Sequence, residues 1–293
     1  MVKILIINSW LHEKNRQGLA NVLNHLFQQQ QIEYKVGSIA DIPNYDIIYN
    51  PSQQINASHY PTKKFIFGPH FSTFPNNQQL QSLQNRNNCI YIQPSEWAAQ
   101  TWRNMGAEQF LHIKSFPFPV DTNKFNSIQP SEKRQNIMVY YKHRYPQELE
   151  QLKTFLAEQK IKNYRIFDYK HRYNENDYLS YLQTCQYGII LDAHESQGFA
   201  IEEALACDVP LLVWNAQSMN QEYGNQNPDI PCTSVPYWAP TCGEVFHQAA
   251  ELLDTFQIFQ AKLEAREYSP RKYIIDNLST EKCAERFIEL IRN

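Results

Sequence analysis

The chain is 293 residues long, 42% of them apolar, with a formal net charge of −3, enough for two domains of ordinary size, each with its own core. The near balance of charge excludes the basic footprint of a nucleic-acid binder, and no run of like charge marks a membrane-surface helix. Eight glycines are present where average usage gives about twenty, and neither G-x-G-x-x-G nor G-x-x-x-x-G-K-[ST] occurs, which disfavours dinucleotide dehydrogenases and P-loop enzymes.

The start, MVKILIINSW, has an apolar core too short for a signal peptide, and no later stretch approaches a membrane span. A cytoplasmic location with no transmembrane segment is the expectation. Cys89, Cys185, Cys207, Cys232, Cys242 and Cys283 are scattered without a C-x-x-C pair. That pattern predicts buried reduced thiols, not a zinc site or a disulfide framework.

Val2 to Asn8 (VKILIIN) is a continuous apolar run, and Leu19, Val22, Leu23 and Leu26 follow at helical spacing between Gly18 and Phe27. This is a Rossmann-like opening. IEYKVG, YDIIYN and KKFIFG are further strand candidates, the last running into GPHF. His70 therefore sits just past a strand end, at the carboxyl edge where open α/β sheets place ligands; a structural loop residue is the plain alternative. CIYIQPSEWAAQTWRNMG reads as strand, loop and helix into a Gly turn. The polar stretch Asn126 to Gln135 reads as a linker. It separates a first domain, 1–128, from a second, 129–275, with 276–293 as a terminal helix, which in the fold that the resemblance below implies often packs back on the first.

The second domain opens with NIMVYYKHRY and carries an internal echo. YKHRY occurs at Tyr141 to Tyr145 and again at Tyr169 to Tyr173, each time after a predicted strand. Two basic loops on one rim suit a diphosphate, for which Arg supplies a planar fork and Lys a point charge; solvated loop residues are the alternative. YGIILD, Tyr187 to Asp192, is a buried-strand run, and LLVW the next strand. Between them a helix opens at Gly198, with Ile201, Ala204 and Leu205 at helical spacing, Glu202 and Glu203 in its early turns and Pro210 beyond its end. The first turn of such a crossover holds anions through backbone N–H groups and the helix dipole. Glu195 lies on the turn and Glu203 inside the helix, so the two can face one cavity from different directions. Alone, they read better as a solvated helix start, favoured by the dipole. Beyond Trp214, Val245, Ala249, Leu252 and Leu253 form a helical pattern, and Ser279 or Thr280 caps a last helix.

The Glu-x7-Glu spacing within E-S-Q-G-F-A-I-E-E-A-L-A-C-D-V-P resembles the signature of the retaining GT-B glycosyltransferases of family 4. Ser196 and Gln197 replace that family's usual Gly and Phe, Ala200 a common Pro, and Asp208 a usual Gly that often takes a left-handed conformation at a helix end. FPFPVDTNKF resembles the segment before the family's interdomain linker, with Phe118 in place of Gly. The resemblance implies an α/β protein of GT-B architecture, two Rossmann-like domains with parallel sheets facing an interdomain cleft. It implies a nucleotide-diphosphate sugar donor (UDP- or GDP-sugar), a glycan or other hydroxyl acceptor, and retention of configuration.

By the same resemblance Lys142 and Arg144 would stabilise the leaving diphosphate together with amides from Ser196, Gln197, Gly198, Phe199 and Ala200. Glu203 would accept the ribose hydroxyls, Glu195 would bind hydroxyls of the transferred sugar or act near its anomeric carbon, and His70 would contact the sugar or the acceptor side. Tyr169, Arg172 and Tyr173 would line the base. No Asp-x-Asp motif occurs, so the reaction is expected to need neither metal nor cofactor. A nucleotide-sugar epimerase of the same fold, or a non-catalytic nucleotide-sugar or glycan binder with a short first domain, is the alternative.

Overall fold

The computed structural model describes residues 2–69, 74–82 and 88–292. His70 lies outside the described residues. Two compact units divide the chain: Met1–Pro119 with Leu278–Asn293, and Val120–Asn277.

In the first unit six strands form one parallel sheet: β1 (Val2–Ile7), β2 (Ile32–Gly37), β3 (Ile47–Asn50), β4 (Lys64–Phe67), β5 (Cys89–Gln93) and β6 (His112–Ser115), in the order β2-β1-β3-β4-β5-β6. All of β3 and β5 is buried. A parallel sheet covered on both faces demands such continuous apolar runs, which is why these strands were readable as unbroken stretches. The helices are α1 (Glu13–Gln28), α2 (Asn77–Ser82) and α3 (Glu96–Asn104).

Helix α1 begins at Glu13, ahead of the predicted Gly18, because its first turns bury little and so carry no apolar period. Gly18 lies inside the helix, where a Cβ would come within 3.0 Å of Pro119 Cδ. Its value is close packing. Past the second unit, α9 (Thr280–Arg292) buries Cys283, Ala284, Phe287 and Ile291 and belongs to the first unit. Phe287 meets Phe116 at 5.7 Å between ring centroids, and Lys64 Nζ donates to the Leu290 carbonyl at 3.1 Å, a cation on the helix's free C-terminal carbonyls.

The second unit has β7 (Asn136–Lys142), α4 (Pro146–Glu158), β8 (Tyr164–Asp168), α5 (Glu175–Leu182), β9 (Cys185–Asp192), α6 (Phe199–Ala206), β10 (Leu211–Trp214), β11 (Gly243–Phe246), α7 (Leu252–Glu264) and α8 (Pro270–Leu278). Its five strands are parallel, ordered β11-β10-β9-β7-β8. The chain leaves β7 for β8 on one flank and returns to β9 on the other. The carboxyl ends of β7 and β9 thus flank the topological switch point, the crevice where open α/β sheets bind ligands.

Two local features differ from the sequence reading. The segment from Thr122 to Gln129, assigned to the first domain and linker, is tied to the second unit: Arg271 donates to the Phe125 and Thr122 carbonyls at 3.0 and 3.1 Å, and Arg134 Nε to the Gln129 carbonyl at 3.0 Å. The helical pattern read from Val245 to Leu253 splits into β11 and, after a short turn, α7. Gly243 explains the split: its φ is +144° and a Cβ would stand 1.8 Å from Leu211 O on the neighbouring strand. Four residues are too few to show a period of two. The six cysteines are unbridged, and among the described residues no helix is long and apolar enough to cross a membrane.

Candidate functional site

At the switch point the β7–β9 register places Lys142 opposite Asp192, the last residue of each strand. Three residues beyond Asp192, Glu195 turns back so that Lys142 Nζ donates to its Oε1 at 2.5 Å. Their side chains are only 17% and 15% exposed. Burial works against the Lys142 charge, but the Glu195 carboxylate overcomes it and holds the ammonium above its usual range. Burial likewise works against the Glu195 charge, and Lys142 overcomes it, holding this carboxyl below the usual range. Lys142 also lies 4.9 Å from the Tyr169 ring centroid. The structure brings together Lys142 and Glu195, expected on phosphate and sugar respectively, as one ion pair.

Arg144 does not join them, and its expected place on the diphosphate is corrected. It is fully buried. Its Nε and one terminal nitrogen fork onto Glu148, and the other nitrogen donates to the Trp214 carbonyl at 3.0 Å and the Asp192 carbonyl at 3.3 Å. A guanidinium with every nitrogen engaged inside the core cannot turn to a ligand without breaking that network. Alternation along the chain explains it: Lys142 continues β7 to the rim, His143 reverses the backbone at φ +53°, and the next side chain points inward.

Helix α6 opens at Gly198, in left-handed backbone (φ +92°, ψ +39°), a cap residue with no side chain of its own. Phe199 and Ala200 are part-exposed in its first turn, as is Ser196 just before it. Tyr178 OH donates to the Ala200 carbonyl at 2.8 Å and fixes the turn. Gln197 is buried, its Nε2 3.0 and 3.2 Å from the Glu202 oxygens. Burial, with Glu203 and Glu195 adding, holds the Glu202 carboxyl above the usual range. Glu203 lies on the same helix, 5% exposed.

The helix ends at Asp208 in the left-handed conformation, φ +61°. Its N–H bonds the Leu205 carbonyl at 2.9 Å and the Val209 N–H the Ala204 carbonyl at 3.1 Å, a complete Schellman motif. Asp replaces Gly there with a return, since Asp208 Oδ1 accepts the Arg271 N–H at the start of α8, 3.3 Å away. Asp208→Ala, which keeps the strain and loses the cap, is expected to cost about 1–2 kcal/mol, whereas Asp208→Gly exchanges one for the other and stays near neutral. Urea unfolding of both variants checks this.

The second YKHRY loop faces outward where the first turns in. Tyr169 and Arg172 are exposed, Arg172 in left-handed backbone at φ +42°. Tyr173 packs inward, 5.0 Å from Tyr178 and 5.3 Å from Phe167 between ring centroids. Burial raises its phenol above the usual range, and Glu203 and Glu195 add to the shift. Asp192 and His194, not among the residues expected at the site, complete this edge. Burial holds the His194 imidazole below its usual range. The signal for Asp192 was present: an acid closing an otherwise apolar strand, three residues before Glu195.

No family model matches the sequence, and no curated protein matches it. Solved structures match in fold. Sucrose-phosphate synthase from Thermosynechococcus elongatus superposes with a TM-score of 0.57 at 10% identity, over 100% of this chain and 98% of that one. WaaG, a glycosyltransferase involved in lipopolysaccharide biosynthesis, gives 0.51 at 10% identity, over 99% of each chain. A putative UDP-N-acetylglucosamine 2-epimerase from Listeria monocytogenes gives 0.52 at 12%, over 99% of this chain and 96% of that one. With two parallel sheets of six and five strands, the chain has the GT-B architecture. At such identities the likeness is one of fold, and activity is argued from the site.

Proposed function

We propose that the chain transfers a sugar from a nucleotide-diphosphate donor to a hydroxyl acceptor such as a glycan. The donor would be held by the second unit, with retention of configuration and without a divalent metal. The observation that carries this reading is the joint placement at one switch point of the Lys142–Glu195 ion pair and the Gly198 start of α6, with Glu203 buried within that helix. Charge that develops on the leaving diphosphate would meet the α6 amides and Lys142 in a largely buried setting, where fixed dipoles act strongly. Glu203 would take the ribose hydroxyls with its two oxygens, and Glu195, kept ionised by Lys142, would act at the sugar.

Incubation with UDP- and GDP-sugars and a panel of glycan acceptors tests the reading. Acceptor-dependent release of the nucleotide, unchanged by a chelator, is expected. Isomerised donor with no acceptor consumed would favour the epimerase reading, which the fold likeness to a putative 2-epimerase keeps as the second choice. Glu203→Ala should weaken nucleotide-diphosphate binding by about 1–3 kcal/mol while the protein stays folded. Titration calorimetry giving unchanged affinity would remove the ribose role.

A further inference from the structure

Asp192 ends β9 with no exposed surface, neither of its side-chain oxygens has a well-formed hydrogen bond among the described residues, and the adjacent Ala193 N–H is spent on the Lys142 carbonyl at 3.1 Å. The β7–β9 register sets it opposite Lys142, whose ammonium holds Glu195, so the two carboxyls converge on one cation and the Glu195 charge adds to burial in raising the Asp192 carboxyl. Two ionised carboxylates are acceptors only and cannot bond each other. One proton between them allows a charge-assisted O–H···O⁻ bond and supplies the missing donor. Lys142, 2.5 Å from Glu195 Oε1, decides which partner stays ionised.

We propose that Asp192 is held as a neutral carboxylic acid that donates to ionised Glu195, a positioning residue at the switch point that keeps the crevice free of a second negative charge.

The neighbours on each packed element agree. From β7 come Lys142 and Tyr140, from the loop after β8 Tyr173, from the loop after β9 His194, and from the loop before β11 Cys232. Burial keeps both tyrosines above their usual range, pushes the Cys232 thiol up to about 12, and keeps His194 below its usual range. All four are neutral at pH 7, so Lys142 supplies the positive charge. The nearby Arg144 is matched by Glu148 and reaches only the Asp192 backbone carbonyl. With one proton on Asp192 the trio of Lys142, Glu195 and Asp192 is neutral. Without it, the trio would carry a net negative charge against an arriving diphosphate. That purpose rests on the proposed transfer reading; the protonation state does not.

A proton held by the folded protein and released by the unfolded chain above about pH 4 means that stability falls as pH rises from there toward the raised folded value. Infrared spectra of protein labelled with ¹³C-aspartate provide the direct test. At pH 7 the wild type should show a protonated-carboxyl band that Asp192→Asn removes. Glu195→Gln should remove it too, because Lys142 then ionises Asp192. Asp192→Asn, which keeps a neutral donor, should hold its stability and nucleotide-diphosphate affinity and lose the pH slope, while Asp192→Ala weakens both. A wild type without the band, or Asp192→Asn as damaging as Asp192→Ala, would overturn the proposal. The band present with no nucleotide bound by the wild type would support the protonated Asp192 and remove the transfer reading.

Discussion

Lys142→Ala is expected to lower the unfolding free energy by about 3–5 kcal/mol at pH 7, the cost of leaving a buried partner charge uncompensated. Glu195, mostly buried, would face Asp192 with no cation between the strand ends. The pH dependence follows from the Glu195 carboxyl, which Lys142 holds below the usual range. Its contribution to stability is present above the unfolded carboxyl pKa and is lost as pH falls through the depressed folded value. The deficit of the variant should therefore be largest near neutrality and shrink in acid. Lys142→Met combined with Glu195→Gln removes both charges and should regain most of the stability without regaining sugar transfer. Urea unfolding at several pH values measures each quantity, and a loss below about 1 kcal/mol, the scale of an exposed pair, would mean that the ion pair is solvated.

Arg144→Ala is expected to cost a similar 3–5 kcal/mol, for a different reason. The substitution strands Glu148 and removes the donor shared by the Trp214 and Asp192 carbonyls, so it loosens β7, β9 and β10 at once. Arg144→Lys should recover little, because an ammonium cannot reproduce the fork to Glu148 and the reach to two carbonyls together. The folded fraction of either variant should keep the wild-type preference for a nucleoside diphosphate over the nucleoside. A selective loss of that preference in stable protein would return Arg144 to the phosphate site.

Residues with strong local constraints were legible. The apolar runs of β1, β7 and β9 are dictated by burial on both faces of a parallel sheet, and the turn before Gly198 and the acids around α6 follow from helix-start chemistry. What escaped depends on direction or on distant partners. YKHRY is the same string twice, yet Arg144 is core and Arg172 is surface; the positive φ falls at His143 in one copy and at Arg172 in the other. Gly243 gives no local hint that the Leu211 carbonyl of a neighbouring strand occupies the space of a side chain. Asp208 reads as a misfit at a left-handed position until its oxygen is seen to cap α8. The pairing of Lys142 with Glu195, 53 residues apart, required the parallel register of β7 and β9 to appear.

The central claim is that the β7–β9 edge of the second unit binds a nucleoside diphosphate. A thermal-shift panel of UDP, GDP and ADP with their common sugar conjugates measures it most directly, since a ligand at one hundred times its dissociation constant stabilises by about 2.7 kcal/mol. One base should shift the wild type selectively, and Glu203→Ala should reduce the shift. Stable protein that no member of the panel shifts, or a shift that Glu203→Ala leaves untouched, would contradict the claim.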